Sequence, residues 1–578
     1  MMQVAPVARE RKATPAVRSA SLKILGGGGS KKASSAPRIG LLDTLLREQK
    51  TLTAVTRFSE LHESGAVPAQ ERYYRDLLPL EKPEAGQQYA FEVDMDACTG
   101  CKACVSACHS LNGLDDNEAW RSVGLLHGGT AKAPAQQTVT TSCHHCVEPA
   151  CMHGCPVKAY EKDPVTGIVK HLDDQCIGCQ YCSLTCPYNA PKYNAALGIV
   201  RKCDMCSDRL AVGEAPACVA ACPNGAIKIA VVDVQEAVQR GEAGTFLPGA
   251  PAPDQTIPTT LYKSKKGLPG NMLPADFYSA NPEHSHPPLV VMLTLTQLAA
   301  GAFAVATLVD SWVGKLAGGA VAQAMLSLGL GFVALGASVF HLGRPQHAWK
   351  AFLGLRTSWL SREIVAFGAF AGFGVLYAVC LVPDVWPALP GKDLLLRAAP
   401  IIRLAAALAG VLGVFCSVMV YAATKRPQWS GAITGMKFVS TTLILGAAAV
   451  AAVATSTGGA AALVKALLVS VMGVSLAKMA FEAGVFRHRL SRQHTVLRRM
   501  ALLLTGELAK FSCLRFAAGL AGGVGLPLLV MNAKQGPNAA VAVAGSILAL
   551  GFLLVGEFTE RYLFFRAAPG SRMPGGLR

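Results

Sequence analysis

A chain of 578 residues is longer than one compact soluble core, given roughly 100–200 residues per domain. Its 54 Lys and Arg against 37 Asp and Glu leave a formal charge of +17. The surplus does not form a phosphate-tracking stripe, because many cations (Arg487, Arg489, Arg492, Arg498, Arg499) sit in a short loop between apolar runs, which excludes nucleic acid as a partner.

Residues 1–88 read as a flexible tail followed by a helical extension of unknown role. The run Gly26-Gly27-Gly28-Gly29-Ser30-Lys31-Lys32 is linker-like, Leu41, Leu42, Leu45 and Leu46 are spaced for one helix face, and Lys82-Pro83-Glu84 breaks the pattern. Residues 1–40 carry neither an apolar export core nor paired arginines, so the chain is expected to keep its N-terminal half in the cytoplasm.

Residues 89–235 read as short strands and turns between cysteine groups, as in Tyr89-Ala90-Phe91-Glu92-Val93 and Gly167-Ile168-Val169-Lys170. Sixteen of the nineteen cysteines fall here in four quartets. Cys98, Cys101, Cys104, Cys108 and Cys176, Cys179, Cys182, Cys186 follow the bacterial ferredoxin run of two, two and three intervening residues; Cys143, Cys146, Cys151, Cys155 and Cys203, Cys206, Cys218, Cys222 are looser variants. Three closely spaced thiolates wrap one iron cube, and the fourth reaches a neighbouring cube. Paired Cys-x-x-Cys units can also hold zinc, but zinc needs no third and fourth cysteine per group, and three groups here end in Cys-Pro. The reading is therefore an α+β, polyferredoxin-like domain with four [4Fe-4S] clusters and no three-iron cluster.

Residues 236–287, rich in Pro, Gly and Ala from 243 onward, read as a linker to the membrane. Residues 288–566 carry apolar stretches near 288–310, 318–340, 363–382, 401–422, 438–456, 462–481, 514–531 and 539–558, most of them near the ~20 residues a helix needs to span a bilayer. An all-α polytopic bundle of about eight transmembrane helices is predicted, with residues 567–578 as a cytoplasmic tail. Cys380, Cys416 and Cys513 stand singly in apolar helices and are expected only to pack.

The quartets, with Asp174-Gln175-Cys176-Ile177-Gly178-Cys179-Gln180-Tyr181-Cys182, resemble the iron–sulfur subunit of dimethyl-sulfoxide-reductase-type molybdenum enzymes over roughly 89–232. The apolar half resembles the anchor subunit of the same enzymes through His341-Leu342-Gly343-Arg344-Pro345, Ser358-Trp359-Leu360-Ser361-Arg362-Glu363 and Gly556-Glu557-Phe558-Thr559-Glu560-Arg561. In that family the two are usually separate chains; here they are fused. The resemblance implies a molybdopterin-containing catalytic subunit as partner, exchange with the membrane quinone pool, and four cluster sets. These are Cys98, Cys101, Cys104 with Cys222; Cys108 with Cys203, Cys206, Cys218; Cys143, Cys146, Cys151 with Cys186; and Cys155 with Cys176, Cys179, Cys182. Outer-with-outer pairing follows from the resemblance and is not forced by spacing.

For quinone or quinol, His341 and Arg344 at the end of the second apolar run are candidates, with Glu557, since ionisable groups at membrane depth are functional suspects. Glu363, Glu482, Glu507 and Glu560 are expected to snorkel or face a loop at helix ends. Seventeen Lys and Arg lie in the loops on the side of the cluster domain and after 558, and four on the opposite side, which orients the cluster domain to the cytoplasm of a bacterial inner membrane. That orientation favours a cytoplasm-facing partner, of which sulfite dehydrogenases of the family are one example. The function read here is a relay between quinone and a separate catalytic subunit, itself not the catalyst. The alternative is a redox-driven ion-translocating module, which needs a file of ionisable residues in helices that read mostly as Gly, Ala, Leu and Val.

Overall fold

The computed structural model describes residues 75–574 apart from 80, 117, 280, 313–318, 390–391, 534–538 and 571. The expected helix near 41–80 and the N-terminal tail lie almost wholly outside the described residues.

In the cluster domain, β1 (Gln87–Asp94) carries Tyr89, Ala90, Phe91 and Val93 and is buried along most of its length. It pairs antiparallel with β8 (Ile227–Asp233), so the chain ends of the domain close on each other. Between them run β2 (Ser122–Gly129) and β3 (Pro134–Thr141), paired antiparallel, and two small hairpins: β4 (Tyr160–Lys162) with β5 (Val169–His171), and β6 (Lys192–Asn194) with β7 (Ile199–Arg201). Short helices of four to nine residues carry or follow the cysteines.

Residues 236–287 are not a bare linker. Asp233 caps the helix Val234–Glu242 by accepting from the Glu236 N–H. Further on, β9 (Leu261–Lys263) joins β1 in parallel and β10 (Leu273–Pro274) joins β2. Ile257, Thr259 and Met272 are buried, and the Thr259 hydroxyl donates to the His144 carbonyl at 2.8 Å. Pro, Gly and Ala here build an irregular but packed cover, which composition alone does not separate from a tether.

Among the described residues, eight helices are long and apolar enough to cross a membrane. They are α1 (Pro287–Trp312), α2 (Ala320–Val339), α3 (Trp359–Cys380), α4 (Lys392–Ala422), α5 (Gly431–Ser456), α6 (Ala461–Ala483), α7 (Ala509–Ala533) and α8 (Ala539–Arg566). Within α7, residues 521–525 form a wide π turn. Several helices start earlier or end later than hydropathy predicts, because Arg397, Lys437, Lys510, Glu560 and Arg561 lie within them. A charge ends an apolar run but not a hydrogen-bonded helix.

The most enclosed helices are α1 and α5, and they touch backbone to backbone. A Cβ on Gly301 would lie 2.0 Å from the Thr442 carbonyl oxygen, and one on Gly446 would lie 2.4 Å from the Gly301 carbonyl carbon. Small residues permit this approach, which carries helix association in lipid. Gly446→Leu should therefore force the pair apart and cost about 1–3 kcal/mol, read as a lower unfolding temperature in detergent with iron content unchanged per folded molecule.

Candidate functional site

Two quartets surround cavities. Cys98, Cys101, Cys104 and Cys222 line one, and Cys143, Cys146, Cys151 and Cys186 line another. The remaining two groups are revealed by the charges the thiols feel. Burial and then Cys218 and Cys206 push the Cys108 thiol up to about 12, and Cys203 feels burial, Cys143, Cys108 and Cys218. Cys182 is pushed up by burial and by Cys179, Cys155 and Cys176. In each group, three neighbouring cysteines of one sequence run meet a fourth from another.

These groups fit an iron–sulfur cube on three observations. Backbone N–H groups already point at sulfur: Ala159 to Cys155 at 3.2 Å, Gly178 to Cys176 at 3.4 Å, Met205 to Cys203 at 3.4 Å and Ala226 to Cys222 at 3.2 Å. Such donors stabilise thiolate charge. Second, two buried cations stand among the thiols. The neighbours that raise Arg121 against its burial are Cys218, Cys203, Cys104 and Cys108, while those that raise Lys202 are Cys143, Cys151 and Cys203. Arg121 donates to the Thr140 and Ser142 hydroxyls, and Lys202 to the Val169 and Cys203 carbonyls. A buried cation needs a counter-charge, and thiolate ligands supply it. Third, two of the quartets line a cavity between their thiols. Arg121 and Lys202 were not singled out in the sequence; each lies next to or between cysteine groups, and only burial marks it.

Cys176 differs from the others: burial raises its thiol, yet His171 and backbone N–H groups donate to the sulfur and lower it overall. Cys380 and Cys416 are buried in the bundle and Cys513 is exposed.

The group Cys155, Cys176, Cys179, Cys182 faces the membrane bundle, and the motif around His341 holds it there. Arg344 donates to the carbonyls of Asp173 at 2.9 Å and Leu197 at 3.3 Å, and its N–H to that of Ile177 at 3.1 Å. Gly343 rests directly on the cluster domain: a Cβ there would meet the Gly198 oxygen at 2.1 Å. Ser358 donates to the Gly154 carbonyl at 2.7 Å, Lys350 to that of Asp174 at 3.1 Å, and the Tyr181 hydroxyl to that of Val420 at 2.7 Å.

The Cys179 carbonyl beside the His341 ring favours its charged form, but burial outweighs it and holds the pKa down to about 4. It packs edge-to-face against His286, with ring centroids 5.1 Å apart. Burial, and then the neighbouring His341 and His284, hold His286 at about 3. Both imidazoles are neutral near pH 7. His286 lines a cavity of about 170 Å³ between the cluster loop (Gln180, Ser183) and the bundle end (Arg426, Trp429, Phe565). His286 Nδ1 and Arg426 Nε hold no hydrogen bond there.

Glu557 is elsewhere. It lies nine residues before the end of α8, about 13 Å along the helix. It forms ion pairs with Lys478 and with Arg515, the latter at 3.1 Å, and accepts from Thr441 at 2.7 Å. Arg515 also pairs with Glu482 at 2.9 Å, while Glu560 pairs with Lys437 at 3.0 Å and Arg561 at 3.3 Å. These carboxylates do not snorkel; Glu482, Glu557 and Glu560 are enclosed by cations, and Glu363 is buried and bonded to Ser417, whereas Glu507 alone is exposed. Nor is the bundle only Gly, Ala, Leu and Val. Next to the network, however, lies an apolar core of Leu298, Ala302, Leu445, Val450, Val471 and Leu553.

Residues 135–232 match a 4Fe-4S dicluster domain family, and residues 282–566 match the DMSO reductase anchor subunit (DmsC) family. The B subunit of the anaerobic dimethyl sulfoxide reductase of Haemophilus influenzae is 37% identical over 191 residues, which is 31% of this chain and 91% of that protein. The chain belongs to the dimethyl sulfoxide reductase family, as an iron–sulfur subunit fused to its anchor. The probable anaerobic dimethyl sulfoxide reductase subunit YnfG of Escherichia coli is 38% identical over 174 residues, 29% of this chain and 82% of that protein. Hydrogenase-2 operon protein HybA of Escherichia coli is 34% identical over 190 residues, 28% of this chain and 57% of that protein. The chain is thus an electron-transfer iron–sulfur protein and a multi-pass membrane protein, and its anchor family implies a partner catalytic subunit.

The family motif around Arg344 serves docking in this fold. Arg344→Ala removes charge-assisted bonds that contribute about 1.5–3 kcal/mol each, so limited proteolysis should release the cluster domain from the membrane fraction faster, with its iron retained. Unchanged release would assign Arg344 another role.

Proposed function

We propose that the chain relays electrons through four [4Fe-4S] clusters between membrane quinone and a separate molybdopterin-containing catalytic subunit. The ligand sets are Cys98, Cys101, Cys104, Cys222; Cys108, Cys203, Cys206, Cys218; Cys143, Cys146, Cys151, Cys186; and Cys155, Cys176, Cys179, Cys182. The clusters supply one-electron exchange when bound, and quinone exchanges two electrons and two protons. The observation that carries this reading is the placement of His341 between the Cys179 carbonyl and the His286 ring, whose cavity opens between the cluster loop and the bundle end.

At that cavity, Arg426 offers a free N–H to a quinone oxygen, Trp429 and Phe565 offer flat walls, and neutral His286 accepts a quinol proton at Nδ1. His341 orients His286 and ties it to the cluster loop. Arg344 is a docking residue, and Glu557 belongs to the ion network, so neither is retained at the quinone. The cluster domain sits on the side of the basic loops, several of whose cations donate to it. With Lys437 and Arg561 set aside as helix-buried ion pairs, the asymmetry still stands, which supports a cytoplasmic cluster domain in a bacterial inner membrane. The apolar core next to the ion network disfavours redox-driven ion translocation.

His341→Ala should leave all four clusters reducible by dithionite and slow their reduction or oxidation by a soluble quinol or quinone analogue. Exchange at the wild-type rate in that variant would move the quinone site away from this cavity.

A further inference from the structure

A different cavity, of about 440 Å³, is bordered by α5, α6, α7, α8 and the short helix Val496–Thr505 and is open on one side. That volume lies in the range of small-molecule sites, which are mostly apolar with a few convergent polar groups. Its walls are Phe481, Phe486, Met500 and Phe516, and its floor is Lys437 and Glu560, with Glu482 and Arg515 beside them.

The floor decides the ligand class. Glu560 is 3% exposed and makes ion-pair contacts with Lys437 and Arg561, yet neither of its oxygens accepts a hydrogen bond. Each carboxylate oxygen has lone pairs beyond its ion-pair contact, so it can accept from a donor in the cavity. The Lys437 ammonium has three protons and lies 3.0 Å from one Glu560 oxygen, which leaves donors for a ligand oxygen. Arg515 is committed to Glu482 and Glu557. Since every floor cation already faces a carboxylate, an anionic lipid phosphate would meet Glu482 and Glu560 as repelling neighbours. A neutral, flat molecule with a hydroxyl and a second oxygen suits the floor, and its apolar tail suits the walls.

We propose that this cavity is a second quinol-class binding site, separate from the His286 cavity, in which Glu560 accepts the ligand hydroxyl and Lys437 donates to an oxygen. Leu563 lines this cavity and Phe565, two residues on and so on the opposite face of the helix, lines the other, which leaves the end of α8 between them. The site holds quinol without a redox step of its own, as a store next to the exchanging cavity. It rests on the reading that this anchor takes quinone-class ligands.

The test titrates the full-length protein in nanodiscs with a fluorescent alkyl-hydroxyquinoline N-oxide, a quinol analogue. The wild type should bind roughly two molecules per chain. Met500→Trp, which fills the wall, should lose one, and Glu560→Gln should weaken the same one by about tenfold, since losing a charged acceptor costs about 1.5 kcal/mol. His286→Ala should lose the other. A single molecule lost only with Met500→Trp would keep this inference and overturn the His286 site. A single molecule lost only with His286→Ala, or a phospholipid found in the cavity in place of the analogue, would overturn this inference and leave the His286 reading standing.

Discussion

Everything else in the molecule depends on one contact, the seating of the loop at His341–Arg344 against the cluster domain. Gly178 and Gly198 both have left-handed backbones, with φ of +70° and +67°, and the backbone of Gly343 presses on both. A side chain at any of these positions would open the joint, because a Cβ would fall within 3 Å of backbone atoms. Electron transfer between a cluster and a membrane carrier needs that closeness. The joint therefore serves function through the absence of side chains.

Around the joint, the charges are arranged by the same need. On the soluble side, Arg121 and Lys202 are buried among thiols, where their fields favour the more reduced, more negative state of neighbouring clusters. On the membrane side, Lys478, Arg515, Glu482 and Glu557 are paired next to an apolar core, and removing one partner would strand another at a cost of about 3–5 kcal/mol. Between them lie the neutral imidazoles of His286 and His341, held neutral by burial. This middle zone offers uncommitted polar atoms, His286 Nδ1 and Arg426 Nε, to a small molecule near the cluster loop.

Much of the architecture was legible in the sequence because it is written locally. Cysteine spacing shows the quartets, and hydropathy shows eight helices whose ends then extend past the charges. What is not local was not legible. Residues 236–287 pack only because β1 and β2, more than a hundred residues earlier, offer free edges. Arg344 and Glu557 stood out as ionisable groups at membrane depth, but their partners come from elements far along the chain, and those partners assign them to docking and ion pairing. His286 and Arg426 carried no motif. They emerge only when the cluster loop closes over the bundle and leaves His286 Nδ1 and Arg426 Nε without partners.

The central claim is that electrons cross between membrane and cluster domain at the group nearest the joint. The most direct measurement uses Cys179→Ser, with the other clusters verified by dithionite reduction and iron content, and follows their reduction by a soluble quinol analogue. The account predicts that the remaining clusters no longer respond to quinol on the wild-type time scale, although dithionite still reduces them. Reduction by quinol at the wild-type rate would mean that electrons enter elsewhere, and would contradict the account.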